Sequence, residues 1–326
     1  MKKFILTILF FSLPIITAMF VADYFISKNL KKSNKYPGEF EVWNDIYNGN
    51  IKSDVAIYGS SRAWVHIDSG ILEDSLDLKT YNMGVDGHNF GLQYLRHIEY
   101  LKFNKTPKLI IVSVDAFSLQ KKTDLYELAQ FLPYMLWNEN IKKYTSSFNG
   151  FNYYDYYVPL IRYMGRIKKI SSILRMNQKL GKKYRVKGYK GIERDWNEDA
   201  TKAQFAMEHY EISIDESIVA LFNQFLIECR TKKVQVILVY TPEYIDGQKP
   251  VINRNEVLNK LNDFSKKYNL LFLDYSKDEL CLQKTYFYNS SHLNKKGAEI
   301  FTAKLGRDLN RSTKIRDLKN YRKSKN

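Results

Sequence analysis

Cysteine is scarce in this chain of 326 residues, and proline and glycine are few as well. The two cysteines, Cys229 and Cys281, are far apart in the sequence, so they predict neither a metal-binding CxxC pair nor a disulfide framework. The five histidines also lack the i, i+4 spacing of a helical metal site, so we expect no metal and no cofactor. Seven prolines and 15 glycines exclude a collagen-like repeat and a long Pro/Gly-rich linker.

Acidic residues are also in short supply, because 51 lysines and arginines face 35 aspartates and glutamates. The resulting net charge of +16 predicts an anionic partner or surface, and nucleic acid, phospholipid or acidic glycan would each satisfy it. Hydrophobic residues make up 44% of the chain and charged residues 26%, which is ordinary globular composition. Intrinsic disorder and a multi-span membrane protein are therefore not expected.

The amino terminus carries an uncharged run of nineteen residues, 4–22. As a helix, this run would span about 28 Å, close to the hydrocarbon thickness of a bilayer. We predict an uncleaved transmembrane anchor over residues 4–26. A cleaved signal peptide is the alternative, although its apolar region should be only about 7–15 residues long and end at small residues. Lysines flank the run on both sides, so charge leaves the orientation open.

A tether is predicted at residues 27–52, and beyond it short apolar runs alternate with helical patterns. These runs are rich in β-branched residues and occupy positions 54–59, 79–84, 109–115, 234–241 and 270–274. Near-continuous apolar strands are typical of a parallel sheet that is buried on both faces. We therefore predict a three-layer α/β/α sandwich with a mostly parallel five-stranded sheet over residues 53–306.

The alternation stops between about residues 118 and 211, where tyrosines cluster and no strand pattern occurs. Between Tyr156 and Ile192 there is no acidic residue. The same stretch holds eleven basic residues: Arg162, Arg166, Lys168, Lys169, Arg175, Lys179, Lys182, Lys183, Arg185, Lys187 and Lys190. A solvated helical insertion and a surface for anionic headgroups or acidic glycan both remain open. The tail, residues 307–326, is basic too.

Two polar segments carry candidate chemistry. The first predicted strand ends in Gly59-Ser60-Ser61, where a serine can begin a helix with its hydroxyl exposed or merely cap that helix. Near the other end, His292 lies just before an apolar-periodic final helix. A serine hydroxyl needs a neighbouring base to become a nucleophile, so His292 is the candidate base. Surface hydrogen bonding is the alternative role for a lone loop histidine.

Taken together and in this order, the two segments resemble the SGNH (GDSL-like) hydrolase superfamily, over about residues 53–115 and 212–306. The resemblance implies a flavodoxin-like sandwich in which Ser61 is the nucleophile and His292 the base. It also implies an oxyanion hole that includes the backbone N–H groups of Ser61 and Gly84.

Two positions depart from the family pattern. Asn289 stands where the family has aspartate, so it can orient His292 through its amide oxygen but cannot stabilise the imidazolium by charge. Asp115 stands where the family has an oxyanion-binding asparagine, and a carboxylate there would repel a developing oxyanion unless it is protonated or turned away. A working Ser61–His292 pair and a weakened or inactive site therefore both remain open.

An SGNH core with a membrane anchor and a basic exterior resembles the membrane-anchored proteins that modify envelope polysaccharides. The resemblance implies an O-acyltransferase or esterase whose domain lies outside the cytoplasm. Its implied partners are an acylated or anionic envelope glycan, the membrane surface and a membrane-bound O-acyltransferase. The alternative is a catalytically weakened or inactive SGNH-fold factor for glycan binding or assembly. Nucleic acid is not an expected partner, because the anchor and the absence of a binding motif argue against it.

Overall fold

The computed structural model describes residues 1–87, 90–122, 124–177, 183–197, 209–312 and 315. The chain divides into two compact units. The first consists of Met1–Asn44 and Thr123–Tyr184, and the second of Asp45–Lys122 and Arg185–Asn326. Each unit is thus assembled from two separate stretches of sequence.

Within the described ranges, the helices and strands follow one another along both units. The helices are α1 Lys2–Leu30, α2 Lys35–Tyr47, α3 Ser61–His66, α4 Ser69–Leu76, α5 Phe90–Phe103, α6 Glu139–Thr145, α7 Tyr153–Tyr157, α8 Ile167–Asn177, α9 Glu216–Thr231, α10 Ile245–Gln248, α11 Arg254–Tyr268 and α12 Lys295–Arg311. The strands are β1 Val55–Gly59, β2 Thr80–Asn82, β3 Leu109–Val114, β4 Gln235–Tyr240, β5 Leu271–Asp274, β6 Phe287–Asn289 and β7 His292–Leu293. Short 3₁₀ turns lie at Leu128–Gln130, Ile161–Tyr163, Glu279–Leu282 and Lys284–Tyr286.

The second unit is built around a five-stranded sheet of order β2-β1-β3-β4-β5. Every neighbouring pair in this sheet is parallel. Gly59 at the end of β1 pairs with Ser113 of β3, and Val114 pairs with Tyr240 of β4. The carboxyl ends of these three strands therefore lie at one edge of the sheet, where reactive groups gather in open parallel sheets.

Helices cover both faces of this sheet. On one face, Ile57 and Ile111 belong to an apolar cluster that includes Leu72 of α4 and Phe301 of α12. On the other face, Tyr58 of β1 packs against Phe225 of α9, with ring centroids 6.1 Å apart. Every residue of β1 and β3 is buried, as expected for strands between two helical layers. The predicted three-layer α/β/α sandwich with a parallel five-stranded sheet is confirmed.

The first unit begins with α1, which by length and composition can cross a membrane. Its most apolar window has a mean hydropathy of 2.5, and none of that window is buried. A signal sequence would have the same properties, and the side of the membrane on which the domain lies stays a prediction. The buried residues of α1 are Asp23, Ser27 and Leu30, all near its carboxyl end.

The predicted tether at residues 27–52 is largely helical. Residues 27–30 complete the last turn of α1, and α2 begins at Lys35. Phe40 and Trp43 of α2 are buried, and the ring of Trp43 lies 5.9 Å from that of Phe131. Burial of these large apolar side chains stabilises a helix here in place of an extended linker.

The predicted insertion at residues 118–211 is divided between the units, and its basic residues do not form a single surface. Arg162 and Arg185 are almost fully buried, and Arg166 pairs with the buried carboxylate of Asp155 at 3.4 Å. Other basic residues of the stretch are exposed: Lys168, Lys169, Arg175, Lys183, Lys187 and Lys190. Lys179 and Lys182 lie outside the described residues, as does most of the predicted tail. The helix α12 covers the first part of that tail and ends at Arg311.

Candidate active site

A tight turn between β1 and α3 places the candidate nucleophile. Gly59 has φ +144°, and a Cβ there would lie 2.6 Å from the Ser113 carbonyl oxygen, so glycine is required. Ser60 caps α3, since its hydroxyl oxygen accepts a hydrogen bond from the Arg62 N–H at 3.3 Å. Ser61 is therefore the first residue of α3, at the carboxyl edge of the sheet.

Ser61 and His292 are brought together from positions 231 residues apart. The hydroxyl oxygen of Ser61 lies 2.7 Å from Nε2 of His292, which is hydrogen-bonding distance. His292 begins β7, directly after the turn that follows β6. The ring of Tyr288 stacks on the His292 imidazole, with centroids 5.4 Å apart and planes 13° apart. The stacking and the short strand together hold the imidazole toward Ser61.

Asn289 orients the imidazole from the other side. Its Oδ1 accepts hydrogen bonds from the backbone N–H groups of Ser291 at 3.0 Å and His292 at 2.8 Å. The same oxygen lies 3.0 Å from Nδ1 of His292. Because the backbone donors fix this oxygen toward the ring, Nδ1 carries the proton and Nε2 is left to accept from Ser61. The amide at this position therefore keeps the productive tautomer.

Gly84 reaches the site, but its N–H group is already engaged. It donates to Oδ1 of Asn82 at 3.0 Å. A Cβ at Gly84 would lie 2.8 Å from the Trp64 nitrogen of α3, so only glycine can approach this helix so closely. Asn82 also donates from Nδ2 to the carbonyl oxygens of Ala63 at 2.8 Å and Ile67 at 3.0 Å. Asn82 thus links the end of β2 to α3, and it accepts the hydrogen bond of the N–H group that was predicted to bind the oxyanion.

Asp115 has a structural role at the end of β3. Its carboxylate accepts a hydrogen bond from the Ser60 hydroxyl at 2.7 Å and another from the Phe117 N–H at 2.9 Å. The side chain is buried, and both of its oxygens accept hydrogen bonds from the protein. Asp115 therefore anchors the cap of α3 and does not supply the amide donor of the family pattern.

A buried arginine directly after Ser61 ties α3 to the end of β4. The Arg62 guanidinium lies 3.4 Å from the Glu243 carboxylate, 3.2 Å from the Thr241 hydroxyl and 4.7 Å from the centre of the Tyr240 ring. Burial, the largest single influence, would lower the pKa of Arg62, but Glu243, Tyr240 and Asp115 together more than offset it and raise the pKa. Glu243 also pairs with Arg254 at 2.9 Å. A permanent positive charge therefore lies one residue from the nucleophile.

His66, at the end of α3, contacts the strand that carries His292. Nε2 of His66 accepts a hydrogen bond from the Leu293 N–H at 3.0 Å, and Nδ1 lies 2.9 Å from the Thr241 hydroxyl. Burial, followed by the charge of Arg62, holds the pKa of His66 well below its usual range. His66 is therefore neutral and positions β7 through the residue next to His292.

Arg62, His66 and Asn82 were missed in the sequence. Arg62 directly follows the candidate serine in the sequence, and this position was the one local signal for its role. Its partner Glu243 follows strand β4, where parallel sheets gather functional groups. The contact of Arg62 with Thr241 spans 179 positions of the sequence, and that of His66 with Leu293 spans 227. No local spacing pattern can therefore predict them.

No protein-family model and no curated protein sequence matches this chain. Solved structures do match it. An acetyl xylan esterase is 12% identical, with 78% of this chain and 98% of that chain covered and a TM-score of 0.40. A GDSL-like lipase from Bacteroides thetaiotaomicron VPI-5482 is 11% identical, with 84% and 98% covered and a TM-score of 0.36. Since both TM-scores are low, the functional inference depends on the geometry of this chain's own site.

Proposed function

We propose that this chain is a membrane-anchored acyl-ester enzyme of the SGNH type, with Ser61 as nucleophile and His292 as general base and acid. The observation that carries the proposal is the hydrogen-bonded series from Ser61 through His292 to Asn289, with distances of 2.7 and 3.0 Å. A hydroxyl beside an unprotonated imidazole nitrogen loses its proton as it attacks, and a fixed tautomer keeps that nitrogen available.

The proposed reaction proceeds in two acyl transfers. Oγ of Ser61 bonds to the acyl carbon while its proton passes to Nε2 of His292. Collapse of the tetrahedral intermediate breaks the ester bond, and the leaving alcohol oxygen takes the proton from His292. Water or a sugar hydroxyl then attacks the acyl-enzyme and gives its proton to His292, which returns it to Ser61. The first acceptor gives an esterase and the second an O-acyltransferase.

The N–H of Ser61 supports the developing oxyanion in this scheme. It belongs to the first turn of α3, where N–H groups have no acceptor within the helix. The N–H of Gly84 can join it only when Asn82 gives up its present hydrogen bond. The positive charge of Arg62 lies one residue away and opposes the repulsion expected from the Asp115 carboxylate.

The proposed substrate is an acylated or anionic glycan of the cell envelope, with the domain outside the cytoplasm. The apolar α1 and the net charge of +16 support this assignment, together with the resemblance to envelope-modifying proteins. A membrane-bound O-acyltransferase is the proposed protein partner, on the resemblance to envelope-modifying proteins.

A second candidate is a non-catalytic glycan-binding or assembly factor that retains the fold. Two observations favour it. The N–H of Gly84 is occupied by Asn82, and Asp115 offers a carboxylate in place of the family amide. Both weaken the oxyanion side of the site.

A fluorophosphonate probe tests the first proposal, because it labels only an activated serine. Full-length protein in detergent should be labelled at Ser61, and Ser61→Ala should not be labelled. Ser60→Ala is the matched control, since Ser60 is the adjacent hydroxyl but donates to Asp115. It should retain labelling. A folded wild-type protein that does not react would favour the second candidate. Mass spectrometry of p-nitrophenyl acetate reactions with oligosaccharides present then separates acetylated sugar from free acetate.

A further inference from the structure

Between residues 137 and 167, the first unit exposes large apolar side chains on the segment that packs against the end of α1. Five of these apolar side chains are more than half exposed, and we name them the rim residues: Trp137, Tyr153, Tyr154, Met164 and Ile167. Exposed apolar groups of this size, when clustered, mark a surface that contacts a partner.

The segment that carries the rim residues is fixed to α1 at one level of the helix. The guanidinium of Arg162 binds both carboxylate oxygens of Asp23, at 2.6 and 2.7 Å, and the Leu160 N–H donates to the same carboxylate at 2.7 Å. Asp23 is the first charged residue after the apolar run that ends at residue 22. A buried bidentate pair of this kind allows little relative movement. Met164 and Ile167 follow Arg162 closely along the chain.

Trp137 contacts α1 within the apolar run itself. Its ring centroid lies 5.8 Å from that of Phe20. Phe20 is about 4.5 Å below Asp23 along the helix axis, at 1.5 Å per residue. Trp137 also has φ +56°, a left-handed conformation that costs a non-glycine residue about 1–2 kcal/mol. An exposed tryptophan is therefore held, against its backbone preference, at the level where the apolar run ends.

The tyrosines of the rim are attached to Trp137 through α7. The backbone N–H of Trp137 donates to the Tyr156 carbonyl at 2.8 Å, and its indole N–H donates to the Tyr157 carbonyl at 3.0 Å. Lys142 lies 5.6 Å from the centre of the Tyr153 ring. Tryptophan and tyrosine prefer the polar–apolar boundary of bilayers, and lysine reaches from there toward the headgroups.

We propose that the rim residues lie in the polar–apolar boundary of the phospholipid bilayer that α1 crosses, so that the first unit rests on the membrane. The occupant of this surface is lipid, because Trp137 contacts Phe20, which is part of the exposed apolar face of α1. The inference rests on the membrane anchor of the proposed function, but not on its chemistry. It differs from binding through the exposed lysines alone, because it assigns the contact to aromatic and aliphatic side chains.

Tryptophan fluorescence of the full-length protein in phosphatidylcholine vesicles tests this assignment. Trp43 and Trp64 are buried and Trp196 is half-buried, so Trp137 is the most exposed of the four tryptophans. Lipids brominated near the headgroup end of the acyl chains should quench the emission more than lipids brominated near the chain ends. Trp137→Phe should lose most of the quenched component.

Added tryptophans keep the test decisive if Trp137→Phe does not fold. In otherwise wild-type protein, Ile167→Trp should add emission quenched by the shallow bromines. The matched control is Ile227→Trp, an exposed helical position that the proposal does not assign to the lipid contact, which should add emission that neither lipid quenches. Equal quenching at both positions, or none at Trp137 and position 167, would overturn the proposal.

A third variant separates this inference from the anchor and from catalysis. Ile8→Trp lies within the exposed apolar part of α1 and should be quenched more by the deep bromines. Quenching there without quenching at the rim residues would retain the anchor and reject the inference. Fluorophosphonate labelling of the same samples reports on Ser61 independently, so failure of one proposal is distinguishable from failure of the other.

Discussion

On the histidine side of Ser61, three groups form a continuous hydrogen-bonded series, whereas on the glycine side the Gly84 N–H and the Asp115 carboxylate are engaged elsewhere. His292 accepts from Ser61 and is oriented by Asn289. Across from it, the Gly84 N–H donates to Asn82 and the Asp115 carboxylate holds the Ser60 hydroxyl. The proton-transfer side is thus complete without substrate, and the oxyanion side is not.

The difference follows from the chemistry of the groups on each side. A serine, an imidazole and an amide satisfy one another, because each donates or accepts in turn. A buried backbone N–H that waits for an oxyanion would be unpaired in the free protein, and such groups nearly always acquire a partner. Asn82 fills that role here. The resting structure therefore shows where the proton moves more plainly than where the negative charge is stabilised.

The largest predicted effect concerns the proton-transfer side, where Ser61 and His292 meet. Ser61→Ala and His292→Ala should each lower the turnover of p-nitrophenyl acetate by up to about 10⁶-fold, the loss known for the serine and histidine of a serine-protease relay. The double variant should lose little more, because the two groups act as a unit. Steady-state kinetics with thermal unfolding as a control measures this. If Ser61→Ala matches the wild type, the serine is not the nucleophile of any observed hydrolysis.

The next prediction concerns Asp115, on the oxyanion side of the site. Asp115→Ala leaves the buried Ser60 hydroxyl and the Phe117 N–H without their acceptor, so it should lower the free energy of unfolding by about 2 kcal/mol. Asp115→Asn keeps one acceptor oxygen and should cost less. Urea unfolding measures both variants. A turnover number that rises in Asp115→Asn would show that the positive charge of Arg62 does not offset the repulsion between this carboxylate and the oxyanion.

Asn289→Asp should make the complete side stronger by adding charge. In a serine protease, replacing the aspartate that orients the catalytic histidine by asparagine lowers kcat by about 10⁴-fold, because the histidine adopts the wrong tautomer. Here the Ser291 and His292 N–H groups already fix the oxygen toward the ring, so only the charge is missing. We expect a gain in turnover of about tenfold, or ~1.4 kcal/mol. Unchanged turnover in a folded variant would mean that imidazolium charge does not limit the rate.

Much of the fold was predictable because each apolar run contains one strand. The run at residues 234–241 contains β4, Gln235–Tyr240, and the weakest run, at 79–84, contains β2, Thr80–Asn82. Local composition dictates these strands, since both faces of the sheet are buried. The helix within the predicted tether was not predictable locally, because the burial of α2 depends on partners such as Phe131, which lie far along the sequence.

The candidate site was predictable where a turn or cap marks it. Gly59 and the residues around His292 have local signatures. The buried pairs have none, since Arg62 meets Glu243 across 181 positions and Asp23 meets Arg162 across 139. Tertiary packing selects such pairs, so the sequence places the candidate nucleophile and base but not the groups that support them.

The smallest predicted effect concerns His66, which positions β7 and therefore His292. His97 is the matched control. Both are buried, and burial lowers the pKa of His66 well below its usual range and that of His97 to about 4. His97 lies on the opposite face of the sheet, 2.9 Å from the Tyr58 hydroxyl. In the unfolded chain each histidine titrates near pH 6.5. As the pH falls below 6.5, the unfolded chain gains protons that the folded protein does not bind.

The free energy of unfolding should therefore fall as the pH drops from 6.5 toward 5, by up to about 1.4 kcal/mol per pH unit for each of the two histidines. His66→Leu and His97→Leu should each remove one share of this slope, as measured by urea unfolding across that range. Only His66→Leu should also lower turnover, by a few-fold with an unchanged KM, because it leaves the Leu293 N–H unpaired beside His292. A slope that neither substitution changes would mean that groups other than these histidines take up the protons. Equal turnover in the two variants would remove His66 from the support of His292.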